Sequence, residues 1–213
     1  MKTLLFGRHG DSVYTNVYPD LTSEGERTMA ETALEMHTIL GNCSEIEIIA
    51  SPQPRAQGSA DIIAREFGYS REVGIEPHIR CNDIFDEQMK VSPWKGYGEG
   101  EDLLRSYETH PDFESGEKLE RRSEVQRRFA WYLDSLGGNL IRDGLMDVTI
   151  HITHFEVLWR LARIISPIGR PLGNGEFIEI KLWSYVPLQV EMNFRDCSVS
   201  LTCAKLSHIL NQP

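Results

Sequence analysis

Apolar positions along the chain follow two rhythms. Thr3-Leu4-Leu5-Phe6 is a short unbroken apolar run that stops at Gly7, and residues 46–50 and 147–153 are runs of similar length. Each has the length of a buried strand. A helical pattern follows every one of them. Thr22 or Ser23 can cap the first helix, Glu24 and Glu26 occupy its first turn, and Gly41-Asn42 marks its stop. After the Ser51-Pro52 turn, residues 54–67 are helix-like up to Gly68, and residues 154–165 carry apolar periodicity that ends before Pro167.

Strands alternating with helices predict an α/β fold: a mainly parallel, doubly wound sheet covered on both faces, hence a three-layer α/β/α sandwich. Residues 177–185, 188–193 and 198–202 alternate apolar and polar positions, which predicts an antiparallel edge added to that sheet. Between about residues 81 and 115 the periodicity weakens and Pro, Gly and Trp punctuate an acidic stretch. This predicts a small insertion over the strand ends, followed by a long Arg- and Glu-rich helix over 117–136. The organisation expected is one domain over 1–213 with an insertion at about 81–115.

Ligands of such sheets sit outside the carboxyl ends of the strands. The residues delivered there are Arg8-His9-Gly10, the Ser51 to Arg55 group, and Thr153-His154. A formal charge of -10 disfavours nucleic acid or an anionic membrane as partner, because both are drawn to basic surfaces. An anionic substrate then needs a locally cationic pocket, which makes the individual arginines and histidines informative. No segment approaches the roughly 20 apolar residues of a membrane helix, and the apolar start is interrupted at Gly7-Arg8-His9-Gly10-Asp11. Cys43, Cys81, Cys197 and Cys203 form no C-x-x-C pair and lack the density of a disulfide scaffold, so reduced thiols in a cytoplasmic setting are expected.

A phosphate ester is a poor electrophile surrounded by negative charge. Its transfer requires donors for the non-bridging oxygens, an aligned nucleophile and a proton for the leaving oxygen. Arg8 suits the first demand and His9 the second, and Gly10 lets backbone approach without a Cβ. Taken alone, an Arg-His-Gly tripeptide is more often an ordinary turn.

The wider pattern resembles the histidine phosphatase superfamily, also called phosphoglycerate mutase-like. Arg8-His9-Gly10-Asp11-Ser12 resembles its opening motif, and Asp20-Leu21-Thr22-Ser23-Glu24-Gly25 resembles the start of its following helix. Ser51-Pro52-Gln53-Pro54-Arg55-Ala56-Gln57-Gly58-Ser59-Ala60 is similar to its second phosphate-binding motif, and Thr153-His154 matches the position of its second histidine. The resemblance implies that His9 is the phosphorylated nucleophile and that Arg8, Arg55 and His154 bind phosphate, with supporting contacts from Ser12 and Asn16. It further implies a glutamate proton donor ahead of a Trp-containing stretch. Glu87, before Trp94-Lys95-Gly96, is the choice, and Asp86 is its competitor.

Three positions depart from the pattern. Asp11 stands in place of a commoner Glu or Gln, Asn16 lies one residue further from His9 than usual with Thr15 at the usual offset, and Phe155 follows His154 where Gly is frequent. Phe155 is therefore expected to narrow the pocket or alter backbone approach. A protonated His154 would add charge to the pocket while His9 must present a free nitrogen, so the two imidazoles are expected to need different environments. His151 reads as a core or second-sphere group rather than a catalyst, and no further His/Cys cluster has metal-ligand spacing.

The leading reading is a phosphatase acting on a small phosphorylated substrate through phosphohistidine, with no metal and no cofactor. A mutase is the alternative within enzymes, and a catalytically silent module binding a phospho-ligand or protein partner is the alternative outside them. The compact stretch at 81–115 favours the phosphatase. The sequence does not set an oligomeric state.

Overall fold

The computed structural model describes residues 1–13, 21–41, 45–85, 100–141, 147–168, 170–183 and 187–212. Four strands run parallel: β1 Lys2–Arg8, β2 Ile46–Ala50, β3 Gly74–Ile75 and β4 Val148–Thr153. Three more, β5 Phe177–Trp183, β6 Gln189–Phe194 and β7 Cys197–Thr202, extend the sheet antiparallel. The order across the sheet is β3-β2-β4-β1-β5-β6-β7.

The alternation of side chains along β1 explains the layers. Leu4 and Phe6 face one apolar cluster, shared with the helices α5 Arg122–Ile141, α6 Phe155–Ile165 and α7 Cys203–Leu210. Leu5 faces the other, shared with α1 Ser23–Leu40 and α2 Pro54–Glu66. Both faces of the parallel strands are covered, as their near-continuous apolar runs require. Burial in β5 and β6 instead alternates residue by residue, one face of the antiparallel extension being buried under helices and the other half-buried.

The helix ends follow the signals in the sequence. The Thr22 hydroxyl accepts from Gly25 N–H at 2.9 Å and caps α1, a contact worth about 1 kcal/mol. Gly41, at φ 60°, closes the helix in a conformation that costs glycine little. Pro54 opens α2, where its missing N–H costs nothing.

Several elements differ from expectation. The helix expected over 117–136 begins at Arg122, because the preceding residues pair with another chain segment: Phe85 N–H donates to Lys118 O at 2.8 Å, and Glu120 N–H to Asp83 O at 2.7 Å. Leu119 is thereby buried opposite Ile84. The weakly periodic stretch contains α3 Gly100–Thr109 and α4 Asp112–Ser115. The helix α7 was not anticipated, and neither was the two-residue strand β3.

Register places the site. Arg8 pairs with Thr153 and Ala50 with Ile152, so β1, β2 and β4 end level and release His9, Ser51 and His154 at one edge. His9 N–H donates to Thr153 O at 3.0 Å and Ser51 N–H to Ile152 O at 2.9 Å, carrying the ladder one step past each strand.

Candidate active site

Arg8, His9, Arg55 and His154 meet at that edge. His9 is 3 % exposed, and its Nδ1 lies 2.7 Å from the carbonyl oxygen of Gly10. A carbonyl can only accept, so Nδ1 carries the proton and Nε2 keeps its lone pair. Arg55 Nε–H donates to that Nε2 at 2.9 Å, which agrees with the same tautomer. Burial first, then the charges of Arg55 and Arg8, hold the His9 pKa well below its ordinary value, so the ring is neutral and nucleophilic at neutral pH.

The loop carrying His9 is fixed from three sides. Gly10 N–H donates to Ser59 Oγ at 3.0 Å, and that hydroxyl donates to Arg55 O at 2.7 Å, tying the loop to the first turn of α2. Thr22 N–H and Oγ1–H reach Asp11 O and Oδ2, both at 3.0 Å, and Asn174 Nδ2 reaches Asp11 Oδ1 at 3.3 Å. Asp11 thus braces the loop against α1 and the segment 172–176. A Cβ on Gly10 would lie 2.5 Å from Gly25 O, and one on Gly25 would lie 2.1 Å from Asp11 O. Both positions therefore require glycine.

Arg55, in the first turn of α2, is 6 % exposed and spans the site. Its Nε meets His9 and its Nη2 lies 3.7 Å from Cys81 Sγ. Burial pushes the Cys81 thiol up to about 11, so it stays protonated and unreactive. Arg8 extends over the ring of Phe155, with its guanidinium carbon 5.6 Å from the ring centroid, and donates from Nη1 to Leu172 O at 2.6 Å. Phe155 belongs to the core beneath Arg8 and packs edge-on against Tyr107. It supports the arginine from below instead of narrowing the pocket.

His154 is fully buried at the N-cap of α6, with its ring 5.0 Å from that of His9. Its Nε2 lies 2.8 Å from Ser51 Oγ and 3.0 Å from Gln53 Oε1, while Ser51 Oγ–H is bonded to Gln53 Oε1. Both neighbours accept, which assigns the proton to Nε2. Burial first, then Arg55, His9 and Arg8, push its pKa well below the ordinary value. His154 is thus neutral, as His9 is, because burial and the positive charges of Arg55 and Arg8 act on both rings in the same sense.

Ser12 is buried, and its Oγ has no partner among the described residues. Asn16, Glu87 and Asp86 lie outside the described residues. Ser51, Gln53, Ser59 and the segment 172–176 were not picked out from the sequence. The first three lie within or beside the quoted second motif, and the last has no local signal. Glu156 was also missed: it is 4 % exposed, and burial pushes its carboxyl above the ordinary value, against the opposing pull of the Arg55 and Arg8 charges. His151 lies in the core as expected, stacked on Phe6 at 4.2 Å and bonded through Nε2 to Tyr132 Oη at 2.9 Å. Among the described residues no group of His, Cys, Asp and Glu has the arrangement to hold a metal ion, and no helix is long and apolar enough to cross a membrane.

No protein-family model and no curated protein matches the chain. Solved structures do match over nearly its whole length. One titled mycobacterial hydrolase 1 aligns with TM-score 0.62 and 14 % identity, covering 93 % of this chain and 100 % of its own. A mycobacterial glucosyl-3-phosphoglycerate phosphatase in complex with VO3 aligns with TM-score 0.58 and 15 % identity, covering 91 % and 98 %. The protein histidine phosphatase SixA in complex with tungstate aligns with TM-score 0.53 and 13 % identity, covering 96 % and 99 %. At these identities the likeness establishes a shared fold.

Proposed function

We propose that this chain, which has the fold of the histidine phosphatase superfamily, is a phosphatase that hydrolyses a small phosphate monoester through phosphohistidine on His9. The observation that carries the reading is the His9 tautomer: Nδ1 is tied to Gly10 O, and the Nε2 lone pair points at a buried arginine. A packing histidine has no need of a cation against its lone pair. A nucleophile for phosphoryl groups does, because the same cation neutralises the incoming oxygens.

In the proposed sequence the phosphate oxygens are bound by Arg8 and Arg55, with Ser12, Asn16 and His154 contributing contacts. Arg55 Nε–H leaves His9 Nε2 for a phosphate oxygen. The Nε2 lone pair then attacks phosphorus in line, the P–O bond to the alcohol breaks, and the departing oxygen takes a proton from Glu87. The Nδ1–H bond to Gly10 O stabilises the positive charge on the phosphorylated ring. Water then attacks the phosphorus and gives a proton back to the ionised Glu87, the P–N bond breaks, phosphate leaves and the Nε2 lone pair is restored. The glucosyl-3-phosphoglycerate phosphatase and the protein histidine phosphatase among the aligned structures support phosphatase chemistry as the general class. A single-domain organisation with the insertion at 81–115 choosing the substrate completes the proposal.

The test is intact-mass detection of an acid-labile phosphoryl adduct, about 80 mass units, after brief exposure to a panel of phosphorylated metabolites, comparing the native chain with His9→Ala. The adduct and phosphate release are expected only with His9 present. Phosphate release at native rate by His9→Ala would overturn the mechanism.

A further inference from the structure

A cleft of about 460 Å³ opens where α3, α4 and α5 meet α6, and none of Arg8, His9, Arg55 and His154 lines it. Its volume suits a small organic molecule. Trp159, Ile164 and Pro167 give it an apolar wall. Arg122, Arg160 and Arg163 line it together with Glu108 and Glu114, so three positive charges stand against two negative ones in a chain whose formal charge is -10.

Two of the three guanidiniums have their counter-charge already. Arg163 Nε pairs with Glu108 Oε1 at 3.0 Å, and Arg122 pairs with Glu114. Arg122 is committed further: its Nη1 donates to Tyr107 O at 2.7 Å, and its guanidinium lies over the Trp159 ring, 5.5 Å from the centroid. Arg160 has no carboxylate partner among the described residues. Its Nη1 donates to Gln212 O at 2.5 Å, with Leu210 O at 3.5 Å, while its Nε and Nη2 donate to no described residue. The edge formed by Nε and Nη2 is one that arginine offers to a carboxylate in a two-point bond. This chain uses it in that way elsewhere: Arg80 holds Asp83 through Nε and Nη2 at 2.9 and 2.8 Å, and Arg195 holds Glu176 at 3.1 and 2.7 Å. Burial, then the charge of Arg122, lower the Arg160 pKa, whereas the bond to Asp83 raises that of Arg80. A carboxylate on the open edge of Arg160 offsets both of these costs.

We propose that this cleft binds a small organic carboxylate with a ring-sized apolar body. Arg160 Nε and Nη2 grip the carboxylate, and the body lies along Trp159, Ile164 and Pro167. One negative charge balances the cleft, whereas Glu108 and Glu114 oppose a phosphoryl dianion there. The cleft also reaches the support of the second histidine. Gln126, from α5, lines it and donates from Nε2 to Glu156 O at 2.8 Å, and Tyr107 Oη, from α3, lies 3.4 Å from the same oxygen. An occupant thus rests against the side chain that holds the first turn of α6, the helix whose N-cap is His154.

Titration calorimetry of the full chain with benzoate tests the assignment. The native chain and His9→Ala are expected to bind benzoate equally, and to bind acetate, which lacks the ring, about tenfold more weakly. Arg160→Ala is expected to weaken benzoate binding about tenfold or more. Pro167→Glu, at an exposed position, adds a like charge to the wall and is expected to weaken it as well; it carries the test if Arg160→Ala fails to fold. A native chain that does not bind benzoate overturns the site, as does native-strength binding by a folded Arg160→Ala or Pro167→Glu. Binding lost in His9→Ala also overturns it, because benzoate would then sit at the strand ends. Inorganic phosphate bound through Arg160 more tightly than benzoate would overturn the choice of a carboxylate.

Discussion

His151 within strand β4 and His154 just past its end live in different surroundings. His151 lies between Phe6 and Tyr132 in the dry core, while His154 lies among Ser51, Gln53, His9 and Arg55 at the strand ends. Burial is the largest cause of proton loss at both: alone it takes His151 down to about 3, and with the charges of Arg55 and Arg8 it holds His154 well below its ordinary value. A depressed imidazole pKa therefore does not distinguish a working site from a core. The distinction lies in what surrounds the ring. At His151 the neighbours are aromatic, whereas at His154 and His9 they are guanidiniums, whose positive charge has no counterpart in the aromatic core.

Three experiments sharpen this contrast. The largest effect is expected at Arg55→Ala, which removes the cation from the His9 lone pair. Steady-state kinetics with any hydrolysed substrate should show kcat down by about 10²–10³-fold. Arg55 also lowers the His9 pKa, so the acid limb of the pH profile should move to higher pH in the variant. An unmoved limb would break the claimed electrostatic link between the two residues.

The second experiment concerns stability. The folded-state pKa of His151 is about 3, against an ordinary value of 6.5, so its neutral form contributes stability that is complete above about pH 6.5 and lost as pH falls toward 3. His151→Phe keeps the stack on Phe6 and removes the titration. Denaturant midpoints should fall with acidification less steeply than native, by about 1.4 kcal/mol per pH unit, with kcat retained. A large fall in kcat for this variant would show that the core region is not chemically separate from the strand ends.

The smallest effect is expected at Ser51→Ala. One of two acceptors on His154 Nε2 is lost and Gln53 remains, so stability should drop by about 1 kcal/mol, with a correspondingly modest loss of kcat. A loss as large as that of Arg55→Ala would mean that the His154 tautomer, rather than the arginine, dominates the site.

The parallel core was legible because its signals are local. The run Thr3-Leu4-Leu5-Phe6, the cap at Thr22 and the stop at Gly41 each act within a few residues, and each sits where the pattern placed it. The start of α5 was not legible. Residues 117–121 have helical composition, and what holds Lys118 to Glu120 extended is a pairing with Asp83 to Phe85, far away in sequence. The same division runs through the site. His9, Arg55 and His154 follow strands, so position and chemistry pointed to one edge. Glu156 was overlooked because an acidic residue in a helix's first turn is ordinarily a solvated favourable charge. Only the fold shows that α3 and α5 close over this one. Phe155 misled for a related reason: sequence gives the size of a side chain but not its direction, and this ring turns down into the core.

The contact between Gly10 and Gly25 works as a mechanical stop. With Gly10 already seated on the backbone of α1, the loop has no travel in that direction. Bonds from Gly10 N–H to Ser59 and from Thr22 and Asn174 to Asp11 hold it on the other sides. Because His9 Nδ1 is bonded to Gly10 O, the imidazole is anchored to the same immobile floor, and a push on the ring toward α1 is borne by the backbone of that helix rather than by side chains that could swing aside.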